Sequence, residues 1–256
     1  MCRIPSSSYP ESPSDKPGVS RIVRRFFVQS RVALILFVLV SLVTGCREAA
    51  EDSADGQDID ITTNVKPVPD DQVAVVTTAD FGIIVIELYP NIAPKMVERF
   101  KQLIAEGFYD GTAFHRINAQ AGLIQGGDPL SKDSDPENDG TGDSHYPNIP
   151  AEFSDLPFER GSVGAARRSA VPAIAERAAI TEGQARNTAN CQFFITLQES
   201  PQYDEEYTLF GKVIHGLNNA DIIAGAPVQE GVAERPLDKI VIQKIRLEPR
   251  SNYIGI

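Results

Sequence analysis

The chain has 256 residues, 42% of them hydrophobic, enough to bury a core of ordinary size in one or two domains. Asp and Glu number 35 against 24 Lys and Arg, and the formal net charge of -11 argues against nucleic acid as a partner, because phosphate contacts need clustered cations. The partners expected are neutral or polypeptide.

The N-terminal segment is a different material from the rest. Residues 1 to 20 are Ser/Pro-rich and read as disordered, and a translation start further along, such as Val19, is compatible with them. Arg21, Arg24, Arg25 and Arg31 then precede the apolar run VALILFVLVSLV, Val32 to Val43, the layout of a secretory signal peptide. A helix of that length rises only about 18 Å, short of the roughly 30 Å hydrocarbon core, so a spanning helix is the weaker reading. Val43-Thr44-Gly45-Cys46 resembles the bacterial lipobox, which implies a diacylglycerol on the Cys46 thiol; an uncleaved anchor and an ordinary signal peptide are the alternatives. Residues 1–46 are therefore assigned to the signal. Residues 47–72 are assigned to an acidic flexible tether, with eight acidic side chains against Lys66 between Glu48 and Asp71, and Pro67 and Pro69 near its end.

Cysteine usage agrees with this division. Cys2 would leave with the signal and Cys46 would carry lipid, so Cys191 has no partner for an internal disulfide and reads as a small buried hydrophobe beside QFFITL. No metal and no cofactor are expected. His115, His145 and His215 are scattered without ligand spacing. The run Asp133, Asp135, Glu137, Asp139 lacks the Gly and Glu of a calcium loop, having Asn138 and Ser144 at those positions, and reads as an acidic surface loop.

From residue 73 the pattern becomes globular. VAVVTTA, a tight turn at Asp80-Phe81-Gly82, and IIVIELY predict a β-hairpin. Asn91 to Glu106 predicts a helix, with Pro94 near its start, an apolar stripe of Val97, Phe100, Leu103 and Ile104, and Gly107 as its stop. Strand-like pieces follow: TAFHRI, GLIQGG, NIPAEF, GSVGAA, CQFFITL, YTLFGKVI and DKIVIQKIRLE, with room for one short helix in GLNNADIIAGAP. Many short strands, Gly/Pro-rich turns and two helices predict an all-β barrel or sandwich.

One stretch poses a chemical question. FHRINAQAGLIQGGD, residues 114 to 128, holds a cation and a neutral amide on an otherwise apolar segment. Phe114 with Arg116, and Leu123 with Gln125, fit two strand-like pieces in which alternate side chains share a face, an arrangement that would let Arg116 and Gln125 look into one site. A surface arginine and an edge glutamine are the plain alternative.

FHR, QGGD, NDGTG (Asn138 to Gly142), QFFITL (Gln192 to Leu197) and LFGKVIHG (Leu209 to Gly216), in this order, resemble the cyclophilin-type peptidyl-prolyl isomerases from about Val73 to Leu247. The resemblance implies a closed eight-stranded antiparallel β-barrel capped by two α-helices over residues 73–250, with a proline-binding groove on its outer surface. It implies isomerisation of X-Pro bonds without covalent chemistry. Arg116 then matches the catalytic arginine and Gln125 the groove glutamine. Phe194 matches the floor of the proline pocket, Gln192 and Ala166 the peptide-backbone contacts, and Leu123, Tyr203 and Tyr207 the pocket wall. Alternation in QFFITL places Phe193 and Phe194 on opposite faces, one for the core and one for the groove.

Several positions depart from the family pattern. Gly122 stands where a bulky phenylalanine is usual, and the spacing from Arg116 to Gln125 is one residue longer. Arg167 opens a long loop where asparagine is typical, and AERAAITEGQAR within that loop has room for a helical turn at the groove rim. Gln202 replaces the tryptophan of cyclosporin-sensitive members, while Tyr203, in place of a leucine, has the bulk to refill volume lost at Gly122. The expectation is a monomeric isomerase, lipid-anchored through Cys46 in a bacterial cell envelope, facing the periplasm or exterior and acting on proline-containing unfolded or extended polypeptides. A catalytically weak peptide-binding or chaperone-like module on the same barrel is the alternative, favoured by Gly122.

Overall fold

In a computed structural model the described residues are 61–173, 178–229 and 234–255. The expected signal segment, Cys46 and most of the expected tether lie outside them. Eight strands are β1 (Gln72–Thr78), β2 (Ile83–Leu88), β3 (Ala113–Asn118), β4 (Leu123–Gly126), β5 (Ser162–Ala165), β6 (Phe193–Thr196), β7 (Leu209–His215) and β8 (Ile240–Pro249). They close into one antiparallel barrel in the order β1-β2-β7-β5-β6-β4-β3-β8. Closure leaves no free sheet edge. The predicted hairpin is β1–β2, held at its turn by Thr78, whose backbone N–H and hydroxyl both donate to the Gly82 carbonyl at 3.0 and 2.8 Å.

The barrel interior is closed by helix α1 (Pro94–Ala105), which buries Met96, Val97, Phe100, Leu103 and Ile104. Phe100 meets Phe193 and Phe210 edge-on at centroid distances of 5.4 and 5.2 Å, the arrangement the ring quadrupoles favour. A second helix in the core, Leu217–Ala224, contributes Ala220 and Ile223. The long loop carries a further turn of helix, Glu182–Arg186, with a reciprocal capping box between Thr181 and Gln184. Among the described residues there are thus three α-helices, the shortest being the rim turn that AERAAITEGQAR had room for.

Two expectations need correction. NIPAEF forms no strand: Ile149 makes a single bridge to Ala189, and Pro147 and Pro150 flank it without N–H groups to donate to a ladder. What the segment does is cap α1. Its N-cap residue, Ala93, has no side-chain acceptor, and the Glu152 carboxylate takes the free N–H groups of Lys95 and Met96 at 3.0 and 2.9 Å. The packed chain also begins before residue 73. Thr62 donates to the Phe153 carbonyl at 2.9 Å, Asn91 clasps Val68 N–H and Lys66 C=O through its side-chain amide, and Lys101 pairs with Asp70 at 2.9 Å. The C-terminal part of the expected tether is therefore laid along the barrel.

Glu152→Ala should lower stability by about 1–2 kcal/mol in chemical denaturation, because two backbone donors lose their acceptor, with Glu152→Gln losing less. An unchanged midpoint for the alanine variant would show that water replaces the cap.

Candidate functional site

Two adjacent phenylalanines on β6 set the division between core and groove. Phe193 lies wholly inside the barrel core, and Phe194 belongs to a separate cluster on the outer face with Tyr89, Ile92, Phe158 and Leu209, flanked by Ala166, Tyr203 and Tyr207. Phe158 stacks on Phe194 at 5.7 Å, and Tyr203 and Tyr207 each meet the same ring edge-on at 5.4 Å. Such packing requires the sheet below to be bare. Gly164 is the cross-strand neighbour of Phe194, and a Cβ there would come within 2.4 Å of the Phe194 ring.

The neighbouring strands bring the polar groups to this face. Arg116 and Gln125 are direct cross-strand partners, and the Arg116 Nη1 donates to Gln125 Oε1 at 3.2 Å. Gln125 Nε2 donates to Gln192 Oε1 at 3.0 Å, and Gln192 Nε2 donates to the Gly142 carbonyl at 2.9 Å. The Gly142 loop is itself organised by buried Asp128, whose carboxylate accepts from the N–H groups of Leu130, Gly140 and Gly142. A single hydrogen-bonded line therefore runs across three strands from the loop to the guanidinium.

The expected alternation on β3 fails at one point. A bulge between Phe114 and Arg116 absorbs His115, so Phe114 stays in the core while Arg116 turns outward, with 44% of its side chain exposed. Leu123 and Gln125 face the groove as expected, with Ile124 between them in the core.

Arg116, Leu123, Gln125, Ala166, Phe194, Tyr203 and Tyr207 line one small cavity of about 90 Å³, and Gln192 lies in the adjoining cavity of about 500 Å³. All eight residues singled out from the sequence, apart from the lipidation site, thus converge on one face. That larger cavity is walled by the Asn138–Gly142 loop on one side and by Arg167, Arg168, Val171 and Ile180 of the long loop on the other. Val171 and Ile180 exchange backbone hydrogen bonds at 2.9 Å, which ties these two positions of the long loop together beside the groove.

Three side chains matter here that sequence reading did not place. Glu234 pairs with Arg116 through the guanidinium Nε, and its other carboxylate oxygen accepts from the Asn118 side chain. The hydrogen bond from Arg116 holds the Glu234 carboxyl below its ordinary range. A half-exposed pair such as this contributes at most about 1 kcal/mol to stability, so its consequence is geometric. Arg167 lies over the Tyr207 ring at 4.6 Å and bonds the Glu206 carbonyl at 3.1 Å and Glu182 at 2.8 Å, pinning the long loop to the pocket wall. Gln198 covers the space beside Gly122. A Cβ on Gly122 would lie 2.5 Å from Gln198 Cγ, so Gln198, not Tyr203, fills that volume, while Tyr203 packs on Phe194. The Glu234 signal is not local: it is 118 residues from Arg116, with no motif around it.

Elsewhere the polar groups serve the fold. Cys191 is buried, and burial pushes its thiol up to about 12, far from the reactive thiolate range. Asp133 accepts from Asp135 N–H and from the Asn138 side chain, so the acidic loop is organised by its own turn contacts. Among the described residues no three His, Cys, Asp or Glu side chains come together as a metal site.

Gly122 has a φ of +65°, so Gly122→Ala adds left-handed strain of about 1–2 kcal/mol to the contact with Gln198. Thermal unfolding should show the loss, and a variant as stable as the parent would mean the turn is free to change conformation.

The comparisons with known proteins point one way. Residues 73–247 match the family model for cyclophilin type peptidyl-prolyl cis-trans isomerase/CLD. A chain of Brucella suis described as a probable peptidyl-prolyl cis-trans isomerase is 38% identical over 174 residues, covering 66% of this chain and 80% of its own length. The peptidyl-prolyl cis-trans isomerase-like 3 of Gallus gallus is 34% identical over 180 residues, covering 68% and 95%. Among solved structures, a Cryptosporidium parvum cyclophilin type isomerase in the presence of the dipeptide Ala-Pro superposes with a TM-score of 0.55 at 29% identity, over 69% of this chain and 98% of that one. With its closed eight-stranded barrel and its match across that barrel, the chain belongs to the cyclophilin-type peptidyl-prolyl cis-trans isomerases.

Proposed function

We propose that the outer face of β3, β4 and β6 is the isomerisation site, and that the protein performs this reaction on extracytoplasmic polypeptides while anchored by lipid at Cys46. The observation that carries the site is the position of Arg116. It stands at the lip of an aromatic-floored cavity, held by Gln125, with terminal N–H groups left for a ligand. The Ala-Pro dipeptide named for the Cryptosporidium parvum structure supports a proline ligand for the same family groove.

The chemistry follows from the amide. Conjugation sets a rotation barrier of about 20 kcal/mol, and in the twisted state the prolyl nitrogen becomes pyramidal and regains its lone pair. Phe194, Leu123, Tyr203 and Tyr207 grip the ring, Gln192, Ala166 and Gln125 hold the flanking backbone, and the Arg116 guanidinium donates to the deconjugated nitrogen. A donor already fixed in place favours the twisted state over the planar one without reorganising. A thousandfold acceleration needs only about 4 kcal/mol of such differential binding. The reaction requires no cofactor.

Location rests on the sequence: the basic segment, the Val32–Val43 run and the Val43-Thr44-Gly45-Cys46 ending support a lipoprotein signal. The protein then faces the periplasm or exterior as a monomer, with unfolded or extended chains as its substrates. Mass spectrometry of the membrane-extracted protein is expected to find residue 46 as a diacylated N-terminus, and an unmodified chain beginning elsewhere would remove the anchor.

Arg116→Ala is expected to lower kcat/KM by about ten- to a thousandfold, or roughly 1.4 to 4 kcal/mol, with far less loss of peptide affinity and little change in melting temperature. Equal losses in rate, affinity and stability would make Arg116 a structural residue instead.

A further inference from the structure

Glu234 reaches Arg116 from a part of the chain that the site otherwise does not use. It lies in the connection before β8, where Gln229 N–H bonds the Arg235 carbonyl at 2.9 Å, Leu237 N–H bonds the Pro227 carbonyl at 2.7 Å, and Arg235 pairs with Glu137 at 2.7 Å. The Glu234 carbonyl accepts from Ile117 N–H at 2.7 Å, which docks this connection on β3 beside the guanidinium. The backbone of Glu234 has a φ of +72°, a conformation that a residue with a side chain holds only where its surroundings enforce it. Both carboxylate oxygens are engaged, one by Arg116 Nε and the other by Asn118 Nδ2, and Asn118 is fixed in turn because its Oδ1 accepts from Ala121 N–H at 2.7 Å.

The consequence concerns the Arg116 guanidinium, a planar group with several donors. An arginine on a strand face has four side-chain torsions to lose before it can aim at a ligand atom. Gln125 alone, bonding Nη1, leaves the guanidinium free to pivot about that contact. With Glu234 on Nε and Gln125 on Nη1, two points of the plane are fixed on different nitrogens, and the remaining terminal N–H groups keep one direction. Preorganised donors are worth most where charge or a lone pair develops in the transition state. The pairing also offsets part of the positive charge, but a hydrogen bond to a neutral prolyl nitrogen depends on direction more than on net charge.

We propose that Glu234 is a positioning residue for the isomerisation, holding Arg116 in its catalytic orientation without touching the substrate. The inference rests on the reading of Arg116 given above.

The test is a double-mutant cycle on the full-length protein in detergent, following cis/trans exchange of an Ala-Ala-Pro-Phe peptide by NMR. Glu234→Ala is expected to lower kcat by about fivefold or more with KM within about twofold, Glu234→Gln to retain part of the loss because one acceptor remains, and Glu234→Ala to have no further effect in an Arg116→Ala background. Peptide affinity and thermal unfolding measured on each variant separate orientation from folding; if the alanine variant does not fold, the glutamine variant carries the cycle, with a partial loss of kcat that disappears in the Arg116→Ala background. A smaller loss, a gain in kcat, or the same fractional loss in both backgrounds would overturn the assignment. Full activity in Arg116→Ala itself would instead sink the catalytic reading of Arg116, so the two failures are distinguishable.

Discussion

The site depends on a single extra residue in β3. Strand side chains alternate, so an arginine two positions after a core phenylalanine would ordinarily share its face and be driven into the barrel. The bulge at His115 breaks that alternation, keeping Phe114 against Phe193 while Arg116 turns to the outer surface opposite Gln125. Bulges concentrate where a side chain has to be re-aimed, and this one separates a hydrophobic requirement from a chemical one within three residues.

Once Arg116 faces outward, its surroundings are built from two kinds of contact. The aromatic cluster around Phe194 supplies apolar burial outside the main core, with Phe158, Tyr203 and Tyr207 meeting the floor ring at 5.4 to 5.7 Å. The line from Arg116 through Gln125 and Gln192 to Gly142 supplies direction, because each side chain donates to the next acceptor along it. Each such hydrogen bond adds only about 1 kcal/mol to folding stability. Their effect is to present a pocket and a donor in fixed relation to each other, which is what a reaction consisting only of bond rotation requires.

Departures from the family pattern alter the rim more than the floor. Gly122 leaves no hole, since Gln198 lies over it. Arg167 does not project into the groove as a free cation but is folded back on Tyr207 and tied to Glu206 and Glu182, so the long loop is braced by the residue that opens it. Between Arg116 and Gln125, Ile117 pairs with Ile124 and Asn118 with Leu123, so residues 119–122 form the turn.

Much of this was legible in the sequence. The β1–β2 hairpin, α1 with its Pro94 start and apolar stripe, eight of the nine strand-like pieces, the burial of Cys191 and the opposite destinations of Phe193 and Phe194 follow from local periodicity and turn residues, which act over a few positions. Ordered motifs around Arg116, Gln125 and Phe194 pointed to the family, and the residues they singled out lie together on one outer face. Other features were decided only by tertiary structure. Glu152 caps α1 from 56 residues away, Glu234 reaches Arg116 across 118, and residues before 73 lie along the barrel through side chains of α1 and the loop preceding it. NIPAEF has the composition of a strand, yet its prolines and the need of α1 for an acceptor make it a cap. Periodicity records which face of an element is apolar, whereas contacts between distant segments depend on where the closed barrel brings the chain back on itself, and no local pattern carries that.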